Sequence, residues 1–272
     1  MENGKTRIRV ATFNIGDFST GAETAGNRIR YGNGTKLSLE RLEAVMKRVN
    51  ADLWGLQEDS GYFFWPDEIK PAHALYHKIL PYHTGFFTRT YNGKAFLSRF
   101  IPHDVALLQY PAAVTSYAPE GTMDYGHDWF LTGKISVGGK EITVVTLHFD
   151  WNCKERRAIQ HQTLLNFIKK QEYCIVTGDF NPENYVNSES QCDAAHISTY
   201  REEWQRFTDA GLVHANGGAF GTFGTLMEGG KPQRPEPWDN VLVTPNIRIL
   251  HAEPVYEPWM EDHAIVVADL EI

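Results

Sequence analysis

A series of short apolar runs, each rich in β-branched residues and each stopping at a polar one, constrains this chain more than any other feature. The runs are RIRVATFN (7–14), ADLWGLQE (51–58), KAFLSRF (94–100), EITVVTLHF (141–149), YCIVTGDFN (173–181), WDNVLVT (238–244) and AIVVADLEI (264–272). Their length and composition predict buried strands rather than helices. Residues 130–137 and 141–149 flank Gly138-Gly139, a hairpin signal.

Helical spacing is confined to three stretches. Leu39, Leu42, Met46 and Val49 fall on one face, with Ser38 as N-cap. Residues 154–170 carry Ala158, Ile159, Leu165 and Ile168 on roughly one side. Tyr200, Trp204 and Phe207 lead to Gly211, a C-terminal stop. Between these elements lie long loops at 16–37, 59–81, 111–128, 182–199 and 214–237, and loops of that length are commonly functional. There is no internal repeat and no composition break that would mark a linker. The length, 272 residues, is enough for one large α/β domain or two small ones.

Composition removes some classes. With 42% hydrophobic and 22% charged residues the chain reads as globular, and no apolar run approaches the ~20 residues of a membrane helix. MENGKTRIRV offers no apolar signal segment, so a cytoplasmic location is expected; a processed secreted form would look the same. A net charge of −8 has the wrong sign for holding nucleic acid by charge alone, although bound divalent cations would supply positive charge for a nuclease. Cys153, Cys174 and Cys192 form no CxxC pair and suggest neither a disulfide framework nor a zinc site. Cys174, inside a strand, reads as a small core residue.

The chemistry sits where the runs stop. Asn14 ends the first strand, Gln57 and Glu58 the second, His148 the TVVTLH run, and Asp179 and Asn181 the IVTGDFN run. Asp239 opens one strand, and Asp262-His263 precede the last. Buried strands can bring such ends to one sheet edge, and a cluster of Glu, Asp, Asn and His suits divalent-metal phosphate chemistry. Mg²⁺ takes oxygen ligands and needs only one or two carboxylates, a role that Glu58 and Asp262 fit. Asn14 and Asn181 are neutral donors that can offset phosphate charge. Asp179 or His263 can serve as the base for water, Asp239 can hold the second nitrogen of His263, and His148 can stabilise or protonate the leaving oxygen. Each residue taken alone has a plainer reading: a solvated Glu58, a turn at Asn14, a hydrogen-bonded core His148, an Asx-turn at GDFNP, strand caps at Asp239 and Asp262. It is their recurrence at strand ends that favours chemistry.

ATFNIG, LWGLQED, AFLSRFIP, TLHFDW, VTGDFNPEN, WDNVLV and EDHAIVVADL resemble, in order, the motifs of the endonuclease/exonuclease/phosphatase superfamily with its deoxyribonuclease I-like fold. The resemblance runs from about residue 7 to the C-terminus and so implies one domain over residues 1–272. It implies an α/β (α+β) fold: a four-layered sandwich of two mixed β-sheets packed face to face and flanked by helices. It also implies a Mg²⁺- or Mn²⁺-dependent phosphoric ester hydrolase. By motif position Glu58 would be the main metal ligand, with Asp262 beside the metal and Asn14 assisting at metal or phosphate. Asp179 and Asn181 would position water and phosphate, and His263 would touch the scissile phosphate or act as base, oriented by Asp239. His148 matches a second histidine of the deoxyribonuclease-like and sphingomyelinase-like branches.

The sequence also departs from the pattern. Gly16 stands where some DNA-repair members carry an acidic residue, EDH replaces the usual SDH, and Trp238 replaces an aliphatic residue. Three functions follow as expectations. The first is a phosphodiesterase, with nucleic acid as one partner class. The second is a phosphatase or phospholipase C-like hydrolase of a small or lipid head-group phosphate. The third is a catalytically silent binder of phosphorylated ligands. Aromatic residues Tyr62, Phe64, Trp65, Trp151 and Trp259, and basic residues Arg28, Arg30, Lys36, Arg156 and Arg157, are the rim candidates, the last two equally readable as a solvated helix face. Nothing in the sequence signals an oligomeric state.

Overall fold

The structure, a computed structural model, describes residues 5–15, 36–59, 75–86, 93–111, 129–150, 154–182, 194–218, 220–223, 227–228, 231–232, 237–257, 260 and 263–272. For residues 36–39, 154–155, 194–201, 227–228 and 231–232 it describes the backbone alone. The strands are β1 (Arg7–Asn14), β2 (Leu53–Gln57), β3 (Tyr82–Phe86), β4 (Lys94–Ser98), β5 (His103–Gln109), β6 (Trp129–Val137), β7 (Lys140–His148), β8 (Cys174–Asp179), β9 (Val213–His214), β10 (Met227–Glu228), β11 (Lys231–Pro232), β12 (Asp239–Val243), β13 (Arg248–Val255) and β14 (Ile265–Glu271). The helices are α1 (Lys36–Val49), α2 (Lys154–Ile168) and α3 (Ala194–Asp209). No helix among the described residues is long and apolar enough to cross a membrane.

Two mixed six-stranded sheets result, in the orders β13-β14-β1-β2-β4-β3 and β5-β6-β7-β8-β12-β9, with β10-β11 as a separate ribbon. Strand periodicity sorts the side chains into layers. Ile8, Val10, Leu53 and Phe96 of the first sheet meet Ile142, Val144, Ile175 and Val241 of the second in one buried cluster. The alternate residues Phe13, Trp54 and Leu56 pack outward on Leu42, Val45 and Met46 of α1. Val145, Leu147 and Val176 pack outward on Leu164 and Leu165 of α2 and Phe207 of α3. Helix, sheet, sheet and helix make four layers, the expected sandwich.

The expected hairpin turn forms at Gly138 and Gly139, whose φ values of 58° and 80° are the left-handed pair that a tight strand connection requires. Cys174 is buried as expected. Helix α1 begins at Lys36, two residues before the proposed cap at Ser38. Several stretches expected to be loops are partly ordered: 59–81 contains helical residues 75–79, the 182–199 stretch already enters α3, and 214–237 holds β10 and β11. Leu75, Tyr76 and Leu80 join the core under α1, and that burial is what holds the helical turn.

The topology decides where the strand ends go. β1 and β2 run parallel with Asn14 across from Gln57. β7 and β8 run parallel with His148 across from Asp179. β12 runs against β8, so its first residue Asp239 also faces Asp179. β14 runs against β1 with Val266 across from Thr12, which brings His263 beside Asn14. One step further in, Thr12, Gln57, Thr146 and Thr177 form a buried polar layer: Thr12 Oγ1 donates to Gln57 Oε1 at 3.2 Å, and Gln57 Nε2 donates to Thr146 Oγ1 at 3.0 Å. Gly55 completes it, because a Cβ there would stand 1.9 Å from Thr177 Oγ1. The two sheets thus approach closely directly beneath the site.

Candidate active site

Asn14 is the tie between the sheets. Alternation turns it inward from β1, and its Nδ2 donates at 3.0 Å to Glu58 Oε1 and at 3.0 Å to Asp179 Oδ2 on the opposite sheet. The same nitrogen lies 3.4 Å from His263 Nε2. His148 adds a second bridge, with Nε2 3.4 Å from Asp179 Oδ2 and 3.9 Å from Glu58 Oε1.

Alternation alone would send Glu58 outward, because Gln57 before it points between the sheets. Its φ of 55° breaks the alternation at the strand end and returns the carboxylate to Asn14 and His148. Asn181 is likewise left-handed, at φ 40°. Asparagine tolerates this region readily; glutamate does so at a cost, and such costs cluster at functional sites. Asn181 N–H donates to Asp179 Oδ1 at 3.0 Å, and its Nδ2 donates to the Phe149 carbonyl at 3.0 Å.

His263 lies 2.9 Å from Asp239 through Nδ1 and Oδ2, and both side chains are buried. That contact fixes the ring with Nδ1–H donated to the carboxylate and Nε2 turned to Asn14 and to Asp179 Oδ2, 3.7 Å away. One short segment holds both partners. Asp239 N–H donates to Thr222 Oγ1 at 2.8 Å, Ala264 N–H donates to the Thr222 carbonyl at 2.7 Å, and Phe223 bridges to His263. Phe223 also stacks on Trp238 at 3.7 Å and 2°, and leans on the His263 ring at 4.9 Å. Trp238, the residue that departs from the aliphatic pattern, therefore fills the wall behind the histidine. Sequence reasoning passed over Thr222 and Phe223; their one signal is that they interrupt a glycine-rich stretch with residues able to cap and to stack.

Asp179 is almost fully buried. Burial pushes its carboxyl up to about 7, and the nearby Asp239 charge adds to the rise; His263, the Asn14 amide and the Asn181 N–H oppose it. Glu58 and Asp179, sharing one amide donor in low-dielectric surroundings, form an oxygen-rich, negatively charged pair that a divalent cation suits. Asp179, Asp239 and His263 also bring ligand-type atoms within 4.8 Å of one another. In that trio Nδ1 and Oδ2 are already spent on each other, so it fits an acid–base relay better than a cation cage.

Every expected site residue except Asp262 is thus brought to one edge; Asp262 lies outside the described residues, as do Gly16, Tyr62, Phe64, Trp65, Trp151, Trp259, Arg28, Arg30 and the side chain of Lys36. Arg156 and Arg157 correct the sequence reading: they are neither rim nor solvated face. Arg156 Nη1 lies 2.6 Å from Asp150 Oδ2, and Arg157 is fully buried against Glu203 at 3.0 Å and the Asp150 carbonyl at 3.1 Å. They brace the segment just after His148.

The sequence profile of the Endonuclease/Exonuclease/phosphatase family matches residues 11–263. Solved structures share the fold at low identity. An AP endonuclease from Archaeoglobus fulgidus is 20% identical with a TM-score of 0.63, over 96% of this chain and 98% of that one. A mannosyl-6-phosphatase from Bacteroides thetaiotaomicron is 15% identical with a TM-score of 0.64, over 97% and 99%. A 3′ phosphatase from Neisseria, solved with a product DNA hairpin, is 18% identical with a TM-score of 0.63, over 96% and 98%. No curated protein matches the sequence significantly.

Proposed function

This chain belongs to the endonuclease/exonuclease/phosphatase family, and from that premise we propose that it is a Mg²⁺- or Mn²⁺-dependent phosphoesterase that cleaves a phosphodiester by in-line attack of water, with residues 1–272 serving as one domain. The observation that carries the reading is the meeting of His263, fixed by Asp239, with Asp179, Asn14, His148 and Glu58 across two sheets.

Glu58 and, by its place beside His263 in the sequence, Asp262 would hold the divalent cation, which would supply positive charge to the phosphate when bound. Asp179 takes the proton of the attacking water, since a carboxyl raised to about 7 is a competent base near neutrality. Asn181, whose Nδ2 carries a second hydrogen besides the one given to the Phe149 carbonyl, donates to a phosphate oxygen and offsets charge without titrating, and Asn14 does so when the cation takes over one of the two carboxylates it now holds. His263, its ring oriented by Asp239, contacts the oxygens of the pentacoordinate transition state. The water–phosphorus bond forms as the bond to the leaving oxygen breaks, and His148 protonates that oxygen.

A nuclease is the first reading, because His148 stands in the site beside Asp179 and an AP endonuclease shares this fold. A net charge of −8, with Arg156 and Arg157 engaged internally, favours as second reading the hydrolysis of a small or head-group phosphate. The test is a panel of abasic-site DNA, 3′-phosphorylated DNA, mannose 6-phosphate and bis(p-nitrophenyl) phosphate, with Mg²⁺, Mn²⁺ or chelator. At least one ester turns over with metal, and His263→Ala lowers that rate ~10²–10⁴-fold. No turnover of any ester in either metal, or a His263→Ala variant at full rate, removes the reading.

A further inference from the structure

Glu58 reaches the site through an irregularity at the end of β2. Strands β2 and β4 pair antiparallel with Gln57 across from Lys94, so continuing the register would set Glu58 across from Gly93 and Asp59 one residue beyond it. Instead the Asp59 N–H donates to the Gly93 carbonyl at 3.1 Å. Two residues thus stand against one, as in a β-bulge, and the first of them, Glu58, is left-handed at φ 55°. Glycine takes that conformation freely; glutamate holds it at a cost and keeps it only where the flanking chain is fixed.

Both flanks are fixed, in different layers. Before Glu58, the Gln57 side chain joins the buried polar layer between the sheets, and its carbonyl accepts from the Ile15 N–H at 3.0 Å. After Glu58, the buried Asp59 carboxylate accepts a hydrogen bond from the Tyr76 hydroxyl. Tyr76 is itself buried in the outer cluster with Leu75 and Leu80, its ring 5.0 Å from that of His83. Burial, with the Asp59 charge beside it, pushes the Tyr76 phenol well above its ordinary value, so it stays a donor near neutrality. Asp59 is therefore anchored in the outer layer while Glu58 turns inward to Asn14 at 3.0 Å. Relaxing Glu58 to the extended form would carry Asp59 away from both Tyr76 and Gly93.

We propose that Asp59, tied to Tyr76 and to Gly93, is a positioning residue that keeps the Glu58 carboxylate turned into the site, where the cation would bind. This rests on the reading above, in which Glu58 is a metal ligand. Asp59 itself touches neither cation nor ester; it acts through the backbone of its neighbour.

The test is Tyr76→Phe in the full chain, which removes one hydroxyl and no charge. Mn²⁺ affinity is read by calorimetry, the sign of the Glu58 φ by backbone NMR shifts of deuterated protein in chelator, and ester kcat and KM at saturating Mn²⁺. Wild type shows the positive φ. Tyr76→Phe loses it in a measurable fraction and binds Mn²⁺ about tenfold more weakly, with ester KM at saturating Mn²⁺ unchanged. Asp59→Ala weakens Mn²⁺ binding at least as much, and adding Tyr76→Phe to it brings no further loss, because both break the same bond. A merely structural tyrosine would lower the melting temperature and leave φ and Mn²⁺ affinity as in wild type, and that result overturns the proposal. So do additive losses in the double variant, and so does a wild type with negative Glu58 φ, whatever the variants do. A wild type that binds no Mn²⁺, with the positive φ still lost in Tyr76→Phe, would instead strike the metal-dependent reading and leave the positioning of Glu58 standing.

Discussion

At the residue scale, Asp179 has the most legible physics. Its carboxyl titrates at 3.8 in an unfolded chain and is pushed up to about 7 by burial. Between those values the folded protein keeps a proton that the unfolded chain has released. The contribution of this group to stability is therefore present below the unfolded value and is lost as pH rises through the folded one. In chelator, wild type should lose more stability than Asp179→Asn between about pH 4 and about pH 7, read by thermal melting, and saturating Mg²⁺ should narrow that gap. Parallel pH profiles for the two proteins in chelator would show that Asp179 is not the strained acid described. Glu58, rightly read from the sequence as a site residue, shows what strand alternation alone would miss. Its place after Gln57 in a strand predicts the outer face, and only the φ of 55° brings it to Asn14.

At the element scale, what was legible follows burial. Strands β1, β2, β4, β6, β7, β8, β12 and β14 are interior, and each announces itself as an apolar run. Of the strands in the two large sheets, the four that carried no such signal, β13, β3, β5 and β9, are the edges; the short ribbon β10-β11 carried none either. An edge strand needs only one covered flank; β5 (HDVALLQ) and β13 (RILHAEPV) are half exposed along their length and so keep charged and polar residues. The basic start of α2 was misread for a related reason, since a sequence does not say which charges are partnered inside. Arg157 makes its contacts to Glu203 at 3.0–3.3 Å with both groups buried. Arg157→Met takes the guanidinium away from a buried carboxylate and should cost about 3–5 kcal/mol in denaturant unfolding. Removing both charges, with Glu203→Leu added, should recover most of it. A loss below about 1 kcal/mol in the single variant would mean that the brace is not structural.

At the scale of the molecule, the sandwich is the device that makes the site. Asn14 and Glu58 come from one sheet, Asp179 and His148 from the other, and the hydrogen bonds of Asn14 join them. The strand-end residues were legible because apolar runs must stop somewhere, and parallel pairs stop at the same edge. Thr222 and Phe223 were not, because a glycine-rich connection carries no comparable signal. The central claim is that this junction holds one divalent cation and uses it to split a phosphoester. The most direct measurement is Mn²⁺ binding to wild type and to Glu58→Gln, with hydrolysis rates read on the same samples. Affinity and rate should fall together in the variant; a Glu58→Gln protein that binds Mn²⁺ and hydrolyses ester as wild type does would contradict the account.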